Sequence, residues 1–176
     1  LYTKKEIKTV DDLSGLKFRA YNAALESFAT LAGAAPTQVE APDIPQAFAT
    51  GQVEAMITSP STGASSKAWD FLSHYTPIHA WVPKNIVVVN KQMFDVLDPE
   101  VQDAVLAAAA TAEARGLKMS KAEAEAKTKV MQDNGITVVE PSPELLSGLK
   151  AIGDQMLADL QATASLEAKA IIDDYN

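Results

Sequence analysis

The sequence predicts an α/β fold in which a parallel-rich sheet is flanked by helices, and three observations carry that expectation. In the first third of the chain, segments with period-two and helical spacing alternate as β-α-β-α-β with short connections. This order places successive strands side by side and parallel, with helices on the sheet faces. Hydrophobic residues make up 47% of the 176 and charged residues 22%, which provides enough apolar material for a packed core. A helical pattern beginning near Asp98 then continues without proline to Asp133. At 1.5 Å per residue such a helix of about 35 residues is about 50 Å long, which reads as an element bridging two lobes.

The elements follow in order. Val10 to Leu13 reads as a short helical turn with Asp11 and Asp12 near its start and Gly15 after it. Residues 16–21 alternate with period two, as a strand does. Asn22 caps a helix through Leu25, Phe28, Ala29 and Ala32, with Gly33 at its C-terminal side. Residues 36–40 read as a second strand, and Asp43 as the cap of a helix through Ile44, Ala47 and Phe48 that stops at Gly51. Residues 55–58 read as a third strand.

The middle changes character. Residues 59–66 read as a small-residue loop, residues 67–72 as a helical piece and residues 74–81 as extended chain. After Pro83 the run Ile86, Val87, Val88, Val89 reads as a buried strand. Asp98, Pro99 and Glu100 form a helix start: a capping residue, proline at the first helical position and an acid in the first turn. Asn134 and Gly135 stop that helix, and residues 136–139 give another strand. Residues 143–164 are amphipathic, with Leu145, Leu149, Ile152, Met156 and Leu160 on one stripe, and a last helix covers residues 165–174.

Composition excludes several function classes. A net charge of −8 argues against nucleic-acid binding, which needs clustered Lys and Arg. With no cysteine there is no disulfide, thiolate catalysis or thiolate metal site. No apolar run approaches the roughly 20 residues needed to cross a bilayer, so the chain is not expected to span a membrane. It starts at Leu1 without a basic or apolar leader segment, which reads as a processed or truncated chain whose export signal is gone. Dinucleotide-binding, phosphate-loop, nucleophile-elbow and His-Glu-x-x-His patterns are absent. No catalytic residue, metal site or cofactor is expected.

Arg19 and Arg115 are the arginines. Arg115 falls in the long helix and reads as a solvated charge. Arg19 falls near the C-terminal end of a parallel strand, the edge beyond which open α/β sheets bind ligands. There a planar guanidinium can grip a carboxylate through two parallel hydrogen bonds; the other reading is an Arg paired with a structural acid. Thr58, Ser59, Ser61 and Thr62 follow the third strand at the same edge, where hydroxyls could complete an anion site or form an ordinary polar loop. His74 and His79 lack a metal or triad spacing and read as structural or surface residues. Trp69 and Trp81 read as packing residues.

The stretch Lys8-Thr9-Val10-Asp11-Asp12-Leu13-Ser14-Gly15-Leu16-Lys17-Phe18-Arg19 resembles a segment of the solute-binding proteins of tripartite ATP-independent periplasmic (TRAP) transporters, of the dicarboxylate-binding type. The similarity continues through Gly33-Ala34-Ala35-Pro36-Thr37, from Asp43 to Phe48, through Gly51-Gln52-Val53-Glu54-Ala55, and from Asn90-Lys91 to Gln102. The resemblance implies the C-terminal portion of a periplasmic-binding-protein-like, Venus-flytrap-like receptor, with a long hinge-spanning helix and most of the first lobe missing. Residues 1–83 and 124–176 would build the second ligand-binding lobe. Residues 84–123 would be a remnant of the first, including part of the long connecting helix, and the strand at 86–89 would lack its sheet neighbours. The fragment alone is then expected to be less stable than the whole protein and to bind poorly.

The function implied is extracytoplasmic capture of a small organic acid in the periplasm and its delivery to the membrane permease subunits. Arg19 sits where the family places its carboxylate-binding arginine. Asn22 and Thr58 fall where sialic-acid-binding members carry ligand-contacting asparagines; Asn22 keeps the type and Thr58 does not, and Ala41 replaces an aromatic. The departures point away from sialic acid. Met56, Ile57, Thr58 and Ser59 with Trp81 point to a less polar pocket, for an aromatic or branched acid. The expected ligand-binding set is Arg19, Asn22, Thr58, Ser59 and Trp81. The alternatives are a small-acid-processing α/β enzyme using Asp43, Glu54 or a histidine, and a ligand-sensing receptor lobe.

Overall fold

The computed structural model describes residues 1–80 and 86–175. Six short strands form one sheet: β1 (Tyr2–Thr3), β2 (Lys17–Ala20), β3 (Ala35–Gln38), β4 (Ala55–Met56), β5 (His74–Tyr75) and β6 (Thr137–Val138), in the order β3-β2-β4-β1-β5-β6. β2 pairs parallel with β3 and β4, and β5 parallel with β6. β1 runs antiparallel to β4 on one side and β5 on the other. The β-α-β-α-β order of the first third thus produces the expected parallel unit. The antiparallel centre strand was not expected, because a strand of two residues has no measurable alternation.

Seven α-helices accompany the sheet among the described residues: α1 (Ala23–Leu31), α2 (Ile44–Ala49), α3 (Pro60–Ser65), α4 (Lys91–Asp95), α5 (Pro99–Asp133), α6 (Pro143–Thr163) and α7 (Leu166–Tyr175). Asn22 caps α1 as its sequence predicts, its side-chain oxygen accepting the Leu25 N–H at 2.9 Å. Ser142 caps α6 in the same way through Leu145 N–H. The expected caps Asp43 and Asp98 make no side-chain cap bond. Asp43 already has helical backbone angles as the last residue of the turn Ala41–Asp43. At Asp98 the backbone carbonyl takes the Val101 and Gln102 N–H groups.

Alternation along the strands separates two apolar layers. Leu1, Phe18, Ala55 and Ile57 face one side with Leu25 and Phe28 of α1 and Leu145 and Ile152 of α6. Tyr2, Met56 and Tyr75 face the other, with Ile44 and Phe48 of α2, Met131 of α5 and the half-buried Trp69. The α6 stripe packs as expected as far as Met156, but Leu160 is exposed.

Two readings of the middle are corrected. The small-residue stretch after β4 is a helix, α3, not a loop. Ser59 accepts the Thr62 N–H at 3.1 Å, Pro60 fills the first helical position, and the helix packs on α5. Its Ser, Thr and Gly composition carries little helical signal, so tertiary packing decides. Residues 86–89 form no strand and are 62–96% exposed; a buried strand needs sheet neighbours, and none flanks this segment. Within residues 74–80, the described part of the expected extended segment 74–81, the strand covers His74–Tyr75. α5 runs as a single helix over the whole predicted span, and Gly135 terminates it at φ +100°. Among the described residues of α5, Met131 in its last turns is the buried one, and α3 packs against the helix.

Candidate functional site

The strand directions concentrate chain ends at one sheet edge. β2, β3, β4 and β5 all point their C-terminal ends there, and antiparallel β1 brings its N-terminal neighbour Leu1 to the same place. A cleft of about 430 Å³ opens at this edge. Arg19 and Tyr21 enter it from β2, Glu40 and Ala41 from the end of β3, and Ile57, Thr58 and Ser59 from the end of β4. Thr62 of α3 and Tyr75, Ile78 and His79 close the other side.

Arg19 is 2% exposed, an unusual burial for a cation. It is flanked in register by Thr37 of β3 and Met56 of β4. Its Nε donates to the Val39 carbonyl at 2.9 Å, and its guanidinium carbon lies 4.9 Å from the centre of the Tyr21 ring. Among the described residues no carboxylate lies within ion-pair distance of it, and its terminal amino groups make no hydrogen bond. Burial pulls its pKa below the ordinary arginine value, while Tyr21 and Glu40 act in the opposite sense. A guanidinium stays protonated regardless. A buried cation with unused donors facing a cavity is costly unless an anion arrives.

The walls are half apolar. Tyr75 packs on Tyr2 with ring centres 4.6 Å apart, and its hydroxyl has no hydrogen-bond partner among the described residues. Burial raises the pKa of that hydroxyl, which therefore stays neutral and able to donate. The Tyr2 hydroxyl donates to the Ser59 carbonyl at 3.1 Å and lies 3.5 Å from the Met131 sulfur. Cleft wall, central strand and long helix meet at that point. His79 adopts φ 47° on the rim.

Of the expected ligand-binding residues, Arg19, Thr58 and Ser59 come together in the cleft. Asn22 does not line it; it is exposed and its side-chain oxygen is engaged in capping α1. Trp81 lies outside the described residues. Thr62 joins the cleft, whereas Ser61 faces a shallow depression between α3 and α5. His74 lies in the sheet beside Ser73, whose hydroxyl is 2.9 Å from its Nδ1. The acids of the enzyme alternative are elsewhere: Glu54 accepts the Lys17 N–H at the opposite sheet edge, and Asp43 does not line the cleft. The described residues hold no cluster of side chains able to bind a metal. Sequence reasoning missed Tyr21, Glu40 and Tyr75. The first two directly follow strands and were within reach of the strand-end rule; Tyr75 was not, since β5 is too short to show which way its residues face.

Comparisons with known proteins give the family and the fold. The profile described as bacterial extracellular solute-binding protein, family 7 (DctP), matches residues 1–163. Among solved structures, DctP7 of Bordetella pertussis, an extracytoplasmic solute receptor binding pyroglutamic acid, is 41% identical with a TM-score of 0.90. DctP6 of the same organism, likewise binding pyroglutamic acid, is 38% identical with a TM-score of 0.92. A TRAP solute-binding protein from a marine metagenome, specific for pyroglutamate, is 40% identical with a TM-score of 0.88. Each covers 99% of this chain, which spans only 57–58% of theirs. No curated protein matches the sequence.

Proposed function

We propose, because the chain belongs to family 7 of the bacterial extracellular solute-binding proteins, that it supplies the arginine-bearing lobe of an extracytoplasmic receptor for a small organic acid. The observation that carries this reading is the state of Arg19: nearly inaccessible, held by one backbone carbonyl, unpaired by any acid among the described residues, and open to a cleft. A ligand carboxylate would satisfy the two terminal amino groups through a bidentate pair. Thr58 supplies a hydroxyl nearby, Ser59 lines the same wall with its own hydroxyl engaged at the start of α3, and Tyr21, Ile57 and Tyr75 shield the pair from water.

The division of labour along the chain is part of the same reading. Residues 1–83 and 124–176 form the second ligand-binding lobe. Residues 84–123, including the exposed part of α5, belong with the other lobe and with the connection between the two. The receptor works in the periplasm and hands its ligand to the membrane permease subunits of a TRAP transporter, without chemistry on the ligand. Three similar receptors bind pyroglutamate, a ring small enough for this cleft, which makes it the first acid to test.

The test is calorimetry on the complete protein with pyroglutamate. Removing one partner of a buried charge pair costs about 2–5 kcal/mol, so Arg19→Ala should weaken binding by well over about tenfold. Equal affinity in Arg19→Ala and the parent would rule the capture mechanism out.

A further inference from the structure

Glu40 is the unexplained group in the cleft. It follows Val39, whose carbonyl holds the Arg19 guanidinium, so the acid stands one residue beyond the anchor of the cation. It lines the same cleft as Arg19. Its backbone is fixed by the turn it opens, its carbonyl accepting the Asp43 N–H at 3.1 Å. Its carboxylate makes no ion pair or hydrogen bond among the described residues, so it does not hold the fold together.

We infer that Glu40 accepts a hydrogen bond from the ligand, and that the site therefore selects monocarboxylates carrying an N–H or O–H over dicarboxylates. The inference rests on the reading of Arg19 as the carboxylate clamp. An ionised carboxylate can only accept, so Glu40 can bond a ligand solely through a ligand donor. A second ligand carboxylate meets like charge instead, a repulsion that weakens as salt is raised because Glu40 is exposed. Attraction for one class and repulsion of the other together set specificity. The charge of Glu40 is felt at Arg19, where it opposes the effect of burial. Besides Arg19, the other polar side chains around the cleft are Tyr21, Thr58, Ser59, Thr62, Tyr75 and His79; none of them is a fixed negative charge.

The experiment compares three ligands by calorimetry on the complete protein: pyroglutamate, its lactone counterpart with ring oxygen in place of N–H, and glutarate. A site that bonds the N–H should favour pyroglutamate over the lactone by at least about tenfold, since the unpaired acceptor is otherwise left facing an oxygen. Glu40→Gln, a substitution at an exposed position, should shrink that ratio and raise glutarate affinity severalfold. Unchanged ratios in Glu40→Gln, with all binding lost in Arg19→Ala, would overturn the role of Glu40 and leave the clamp standing. If the parent binds none of the three, or Arg19→Ala binds them as the parent does, the clamp itself fails and the inference goes with it.

Discussion

The hydroxyl of Tyr2 donates to the carbonyl oxygen of Ser59 at 3.1 Å, tying the central strand to the residue at which the cleft wall turns into α3. The same hydroxyl lies 3.5 Å from Met131 near the end of α5. One tyrosine thus sets the position of the ligand cleft relative to the long helix.

Gly63 makes room for that tyrosine. A Cβ there would lie 2.7 Å from Cζ and 2.8 Å from Cε1 of Tyr2, so Gly63→Ala must displace the ring. Overpacking of this kind costs about 1–3 kcal/mol. Gly116, in the middle of α5, has no neighbour within 4 Å of an added Cβ, and Gly116→Ala should stabilise by up to about 1 kcal/mol through helix propensity. Thermal melts of the two variants of this 176-residue chain should move in opposite directions. A Gly63→Ala variant that melts with the parent would show that Tyr2 is not confined.

Gly148 plays a similar part between α6 and the turn Val10–Leu13. A Cβ on Gly148 would approach Val10 Cγ2 to 2.6 Å. Gly148→Ala should destabilise, and adding Val10→Ala should recover much of the loss by vacating the space. Denaturant unfolding of the single and double variants measures the coupling, which neighbours in contact show at about 0.5–3 kcal/mol. Strict additivity would mean that the helix relaxes around the methyl group.

Asp12 gives the fold a dependence on acid. Its Oδ2 accepts the Lys8 N–H at 2.8 Å and the Thr9 N–H at 3.0 Å, and these bonds hold its pKa below the usual carboxylate value. A depressed folded value means stability that is present above the unfolded value, about 3.9, and lost as pH falls through the folded one. Asp12→Ala should therefore melt lower than the parent at pH 7, with the gap closing under acid. A gap that is constant with pH would contradict the role of the charge.

How far the residues disclosed this fold depended on how much signal each element carries alone. β2, α1 and α6 were legible because alternation, a capping Asn and an apolar stripe, respectively, mark them in the sequence. α3 was hidden because Ser, Thr and Gly prefer turns, and only Ser59, Pro60 and packing on α5 turn them into a helix. Residues 86–89 read as a buried strand from composition, but an apolar run becomes a strand only where partners exist. The place of Arg19 beside the cleft was legible because the strand-end rule applies to the last residues of β2. Glu40 was not singled out, because an exposed acid after a strand looks like any solvated charge until the cleft is seen around it.

The lone antiparallel strand makes β1 a seam. On one side stand β3, β2 and β4, on the other β5 and β6, and within the described residues the backbone bonds of Leu1, Tyr2 and Thr3 join the two blocks. Opening there would unzip the sheet into two patches and bare two edges at once, so amide exchange at Tyr2 and Thr3 would report the cooperativity of the whole lobe. Because the cleft draws its walls from both blocks, a ligand spanning it would act as a second fastening across the same line.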